Sequence, residues 1–138
     1  MSSFLDTGGQ LIELTRDECW EQLSSCEVGR VAWCGSGGPT VLPVNFVAAE
    51  GKIVFRTSPY SASARECDDL PVAFQVDGID PVTRSGWSVL ARGTAHLLYD
   101  GARAPSVGAA VDVWAGGRRA LHVVIEPRKL TGRRLLPS

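Results

Sequence analysis

The sequence predicts a mainly β protein, a closed or partly closed antiparallel barrel with flanking helices. Three observations carry this. About six segments have strand-like apolar patterning, most of them are joined by short turn signals, and a helix of clear 3.6 periodicity is confined to the N-terminal part. With 138 residues, 44% hydrophobic and 21% charged, the chain has the size and composition of one globular domain. No repeat, low-complexity tract or linker divides it, so residues 1–138 read as a single domain, with 1–9 a polar flexible tail.

The elements follow in order. Thr15-Arg16-Asp17-Glu18 has the form of a capping box, the Thr15 hydroxyl accepting from the Glu18 amide while Glu18 reaches back. Cys19, Trp20, Leu23 and Cys26 then supply one apolar helical face, ending near Ser25. Val28–Cys34 reads as a strand, and Gly35–Pro39 as a turn cluster. Two further strands, near 40–48 and 52–57, flank a hairpin turn at Glu50-Gly51. A short helix over about 59–68 starts at Pro59, whose missing amide is harmless in a first turn. Pro71–Val76 is a strand and Gly78–Gly86 a loop. Trp87–Tyr99 alternates, with Trp87, Val89, Ala91, Ala95 and Leu97 on one face and a bend at Gly93. Ala109–Trp114 is a weak helix candidate inside the glycine-bearing stretch 100–118, which reads as a lid or a surface segment. Leu121–Glu126 is a strand ended by Pro127, and Lys129–Leu135 an edge strand.

Charge and composition exclude several classes. The formal net charge of -1 favours neither nucleic acid nor an anionic membrane. Arginine outnumbers lysine, present only at Lys52 and Lys129, which we read as base-composition bias. No apolar run reaches the roughly 18 residues of a membrane span, and the N-terminus has no leader pattern. Cys19, Cys26, Cys34 and Cys67 form no C-x-x-C pair. They are expected to be reduced, mostly buried thiols of a cytoplasmic protein, with Cys19 and Cys26 sharing a helix face.

Catalytic signatures are sparse. There is no P-loop, no G-x-G-x-x-G and no G-x-S-x-G, and both histidines, His96 and His122, fall within strands. The segment Arg56-Thr57-Ser58-Pro59-Tyr60-Ser61 is different. A guanidinium, several hydroxyls and a helix start close together suit a phosphate. The alternative is that Ser58 simply caps the helix.

The order of motifs points further. Leu-Thr-Arg-Asp-Glu-Cys-Trp is followed by Val-Gly-Arg-Val-Ala, Leu-Pro-Val-Asn-Phe and Ile-Val-Phe-Arg-Thr-Ser-Pro. Val-Ala-Phe-Gln-Val-Asp, Gly-Trp-Ser-Val-Leu-Ala-Arg-Gly-Thr-Ala and Thr-Gly-Arg-Arg complete the series. This order resembles the pyridoxamine 5'-phosphate oxidase-like family of flavin-binding split β-barrels, in particular its short actinobacterial members. The resemblance implies a six-stranded antiparallel split barrel of FMN-binding type, assembled as a homodimer with two flavin sites between the subunits. It implies that the flavin ring lies along Pro43, Val44, Asn45 and Phe46, and that Arg56, Thr57, Ser58 and Ser61 hold its phosphate. Trp87 and Ser88 are implied to come from the partner subunit. Relatives often read Ser-Pro-Gly-Ser-Lys where this chain has Ser58-Pro59-Tyr60-Ser61-Ala62, so Ala62 stands in place of a phosphate-binding lysine. Arg65, one helical turn on, is the candidate to compensate.

The expected function is two-electron flavin chemistry on a small molecule, with FMN as cofactor. Three alternatives stay open: an F420-dependent reductase of the same fold, a ligand-binding barrel that has lost its flavin, and a haem protein using His96 or His122. Arg92 or Arg56 is a candidate for the flavin's pyrimidine edge, and Arg118-Arg119 for an anionic group of the ligand. No pattern marks a general acid or base.

Overall fold

A computed structural model describes residues 9–58, 61–99 and 121–137. Its elements are β1 (Gln10–Glu13), α1 (Arg16–Ser24), β2 (Val28–Gly35), β3 (Gly38–Ala49), β4 (Lys52–Thr57), α2 (Ala62–Glu66), β5 (Leu70–Asp80), β6 (Ser85–Tyr99) and β7 (Leu121–Leu136). The expected helix at 109–114 and the Arg118-Arg119 pair lie outside the described residues.

The strands form one antiparallel sheet in the order β1-β7-β4-β3-β2-β5-β6, and β6 pairs again with β7. That last pairing closes six strands into a ring, the split-barrel architecture. Among the described residues the strand count is seven rather than six: β1 adds to the far end of β7, with Gln10 opposite Leu136. Its four residues are all exposed, so it has no buried face to announce it by alternation.

The hairpin between β3 and β4 is as expected. Glu50 and Gly51 both have positive φ (56° and 74°), the backbone of a two-residue turn whose twist matches its strands. The loop expected at 78–86 is shorter. Asp80 Oδ1 accepts from the amides of Val82 (2.9 Å) and Thr83 (3.4 Å), tightening the turn to 81–84 and leaving Gly78 and Gly86 inside paired strands. The expected break at Pro127 is also absent. One strand runs from Leu121 to Leu136 and is interior along much of its length, because a register shift absorbs Pro127.

Inside the ring, Val31, Phe46, Ile53, Phe55, Phe74, Val76, Val89 and Ile125 form the core. α1 packs on β7, β3 and β6, and drives Cys19 and Leu23 into the same core. Its capping box is present: Thr15 N donates to Glu18 Oε1 at 2.8 Å, and Glu18 N to the Thr15 hydroxyl at 3.2 Å. Cys26 does not share this helix. The last turn tightens, with Ser25 N on Gln22 O and Cys26 N on Leu23 O, so Cys26 lies beyond the cap. Of the four thiols, Cys19 and Cys67 are buried, Cys26 is half-buried and Cys34 exposed; none forms a disulfide. Burial pushes the Cys67 thiol up to about 11, which keeps it protonated and unreactive near neutral pH. Among the described residues, no helix is long and apolar enough to cross a membrane.

Candidate functional site

The barrel brings the phosphate candidates to the end of β4. Alternation along the strand turns Phe55 and Thr57 inward and Arg56 to the outer face, where Arg56 stands opposite His122 of β7. Arg56 is half-buried, while Thr57 is buried, at 7% exposure. Just beyond, Ser61 caps α2: its hydroxyl accepts from the Ala64 amide at 3.2 Å. The helix thus begins at Ala62, later than expected, and Ser61 rather than Ser58 is its cap. Ser58 contributes its carbonyl, which accepts from both the Ser61 amide (3.0 Å) and the Ser61 hydroxyl (2.8 Å). Pro59 and Tyr60 lie outside the described residues.

Three hydroxyls meet here. Thr57 donates to Ser61 at 2.8 Å, and Ser63 lies 3.2 Å from Ser61 and 3.4 Å from Thr57. Ser63 is 2% exposed and was not singled out from the sequence, although the Ser-x-Ser spacing after β4 carried the signal. The protons in this cluster are largely directed inward. Thr57 gives its proton to Ser61, and Ser61 gives its own to a carbonyl. The Arg56 guanidinium is therefore the strongest donor this corner offers an anion. α2 has five residues, too few for its dipole to add much. Ser61→Ala should act first on stability, removing the cap and lowering unfolding free energy by about 1 kcal/mol in urea melts.

α2 is tied to the barrel from its other end. The Trp33 indole donates to Glu66 Oε1 at 2.9 Å, and the Ser36 hydroxyl to Glu66 Oε2 at 3.2 Å. The Trp33 bond, with help from Ser36, holds the Glu66 carboxyl below the usual carboxylate range. A depressed carboxylate stabilises the fold above its unfolded pKa, and that stability is lost as pH falls through its folded pKa. Glu66→Gln should therefore flatten the fall of melting temperature between about pH 5 and pH 3. A slope equal to the parent's would show that the tie carries no linkage.

The strand expected to back the flavin ring presents alternate faces. Val44 and Phe46 point into the barrel, Phe46 meeting Phe74 edge-on with centroids 4.8 Å apart. The outer face offers the side chains of Pro43, exposed, and Asn45, half-buried. Trp87 and Ser88 are elsewhere. They pair with Arg134 and Arg133 of β7, whereas Arg56 pairs with His122, twelve residues earlier on that strand. This is roughly 40 Å of extended chain, so one subunit does not bring Trp87 and Arg56 together. Trp87 and Ser88 instead border a cleft of about 270 Å³ with Leu11, Ile79 and Arg133.

The remaining candidates are also apart. Arg92 is exposed and pairs with Lys129, away from Arg56. Arg65 is exposed in the last turn of α2. His96 is exposed, its Nδ1 2.8 Å from Asp69 Oδ1, and His122 is buried at 6% exposure. The two histidines thus face different surroundings.

Comparison with known proteins is consistent across sequence and structure. A family model described as pyridoxamine 5'-phosphate oxidase matches residues 15–134. The uncharacterized protein Rv0080 of Mycobacterium tuberculosis is 31% identical over 132 residues, covering 92% of this chain and 87% of its own. The FAD binding protein from Mycobacterium smegmatis superposes with a TM-score of 0.70 at 27% identity, over 91% of this chain and 98% of its own. A conserved protein of unknown function from Corynebacterium diphtheriae gives 0.73 at 28% identity, over 91% and 98%.

Proposed function

Because this chain belongs to the pyridoxamine 5'-phosphate oxidase family, we propose that it is a cytoplasmic, homodimeric flavin-binding protein of oxidoreductase type acting on a small molecule. The observation that carries this reading is Arg56 on the outer face at the end of a strand in the family's barrel, followed in the chain by the Thr57, Ser61 and Ser63 hydroxyl cluster. A planar guanidinium at a strand end suits a phosphate, and the hydroxyl-bearing segment that follows it supports the flavin's phosphate end as its partner.

In this reading Arg56 binds the phosphate, and Ser61 and Ser63 reorient a hydroxyl towards it. Pro43 and Asn45 border the ring on the outer face of β3. Val44 and Phe46 keep that strand rigid by anchoring it in the core. The cofactor, when bound, supplies two-electron transfer. In this reading the partner subunit supplies Trp87 and Ser88, which lie far from Arg56 along β7 within one chain.

FMN is the favoured form, since Arg56 and the hydroxyls address a terminal phosphate. FAD is the second reading, favoured by the M. smegmatis relative described as an FAD binding protein. Purified protein should show the two visible bands of an oxidised flavin, or acquire them on incubation with FMN or FAD. Light scattering should give twice the 14.7 kDa chain mass. A protein that stays colourless with all flavins would leave a ligand-binding barrel without flavin. A strict monomer would remove the shared site.

A further inference from the structure

On the outer face of the barrel, remote from Arg56, lies a larger cleft of about 700 Å³. This is within the range of small-molecule sites, roughly 300–1,000 Å³. β2, β3 and β5 give it an apolar floor that includes Val41, 58% exposed, Leu70, 45% exposed, and Ala73. Its remaining edge is cationic: Arg92 from β6, with Arg128 and Lys129 from β7.

The cationic edge is built by a β-bulge. Arg92 pairs with Lys129, but the next residue, Gly93, pairs with Pro127, so Arg128 is an extra residue on β7. Neighbours on a regular strand point to opposite faces. A bulge re-aims them, and here Arg128 and Lys129 both line the cleft. Two residues suit the irregularity. Pro127 has no amide to lose, and at Gly93 a Cβ would clash with the Glu126 carbonyl oxygen, against backbone that cannot yield.

The outcome is electrostatically unfavourable for an empty cleft. Arg92 and Lys129 are like charges directly opposite each other, and Arg128 joins them. Among the described residues, none of the three has an ion-pair or hydrogen-bond partner. Three unneutralised cations beside an apolar floor match a ligand with an anionic head and an apolar body.

We propose that this cleft is a second ligand site, taking a small amphiphile such as a medium-chain carboxylate. The carboxylate would bridge Arg92, Arg128 and Lys129, and the chain would lie over Val41, Leu70 and Ala73. It is distinct from the flavin's phosphate site. Lys129 lies seven residues along β7 from His122, the partner of Arg56, or roughly 23 Å of strand. The proposal therefore does not depend on a phosphate bound at Arg56.

The test is calorimetric titration of the full chain with dodecanoate below its micelle concentration, against dodecanol and acetate as controls. One dodecanoate per chain is expected, with dodecanol and acetate at least about tenfold weaker. The combined R92Q, R128Q and K129Q variant should lose at least about tenfold in dodecanoate affinity. V41E, which sets a carboxylate on the cleft floor, should do the same by repulsion, with thermal melts confirming that both variants fold. No dodecanoate binding, equal binding of dodecanol, or affinity unchanged in both variants would overturn the proposal.

Discussion

Arg56→Ala is expected to weaken FMN binding by about ten- to a hundredfold, the effect of losing one charge-assisted contact of about 1.5–3 kcal/mol. The size follows from how the corner is bonded. Thr57 and Ser61 direct their protons into the protein, onto Ser61 and the Ser58 carbonyl. Ala62, the first residue of α2, offers no charge. The guanidinium thus bears most of the load. Arg56→Lys should fall between the parent and the alanine variant, since it keeps the charge but loses the planar fork. Fluorescence titration with FMN measures all three. An unchanged affinity in Arg56→Ala would place the phosphate elsewhere.

Phe74→Ala should destabilise the fold by about 3–5 kcal/mol, the range for emptying a buried aromatic site. Phe74 is fully buried and packs edge-on against Phe46. It also sits at the narrowest seam of the barrel. β2 and β5 pair through only Arg30–Ala32 with Gln75–Ala73, where Val31 faces Phe74. With so short a ladder, side-chain packing carries much of the seam. Chemical denaturation should show the full loss for alanine and a smaller one for Phe74→Leu, which retains most of the volume. A loss under about 1 kcal/mol would show that the seam collapses around the cavity. Through Phe46, the alanine variant also loosens the strand carrying Pro43 and Asn45.

Much of this was legible in the sequence, where local chemistry decides the outcome. The Thr15–Glu18 box and the Glu50-Gly51 turn each depend on residues close in sequence, and each is present. Part of what escaped was set by distant partners. β1 forms because the end of β7 offers it an edge. Pro127 fails to end a strand because β6 lies alongside and a bulge accommodates it. Ser61 became the cap of α2 in preference to Ser58 through the hydroxyl cluster with Thr57 and Ser63. Val44 and Phe46 turn inward by the period-2 alternation of their own strand, and Arg56 takes the outer face of β4. The meeting of Arg92, Arg128 and Lys129 was invisible until β6 and β7 were set in register.

The central claim is that the Arg56 corner holds the phosphate of a flavin, and paired titrations of the parent protein with FMN and riboflavin test it most directly. FMN should bind with a Kd below about 100 μM, and riboflavin, identical but for the phosphate, at least about tenfold more weakly. Equal affinities for FMN and riboflavin, or no binding of FMN or FAD in that range, would contradict it.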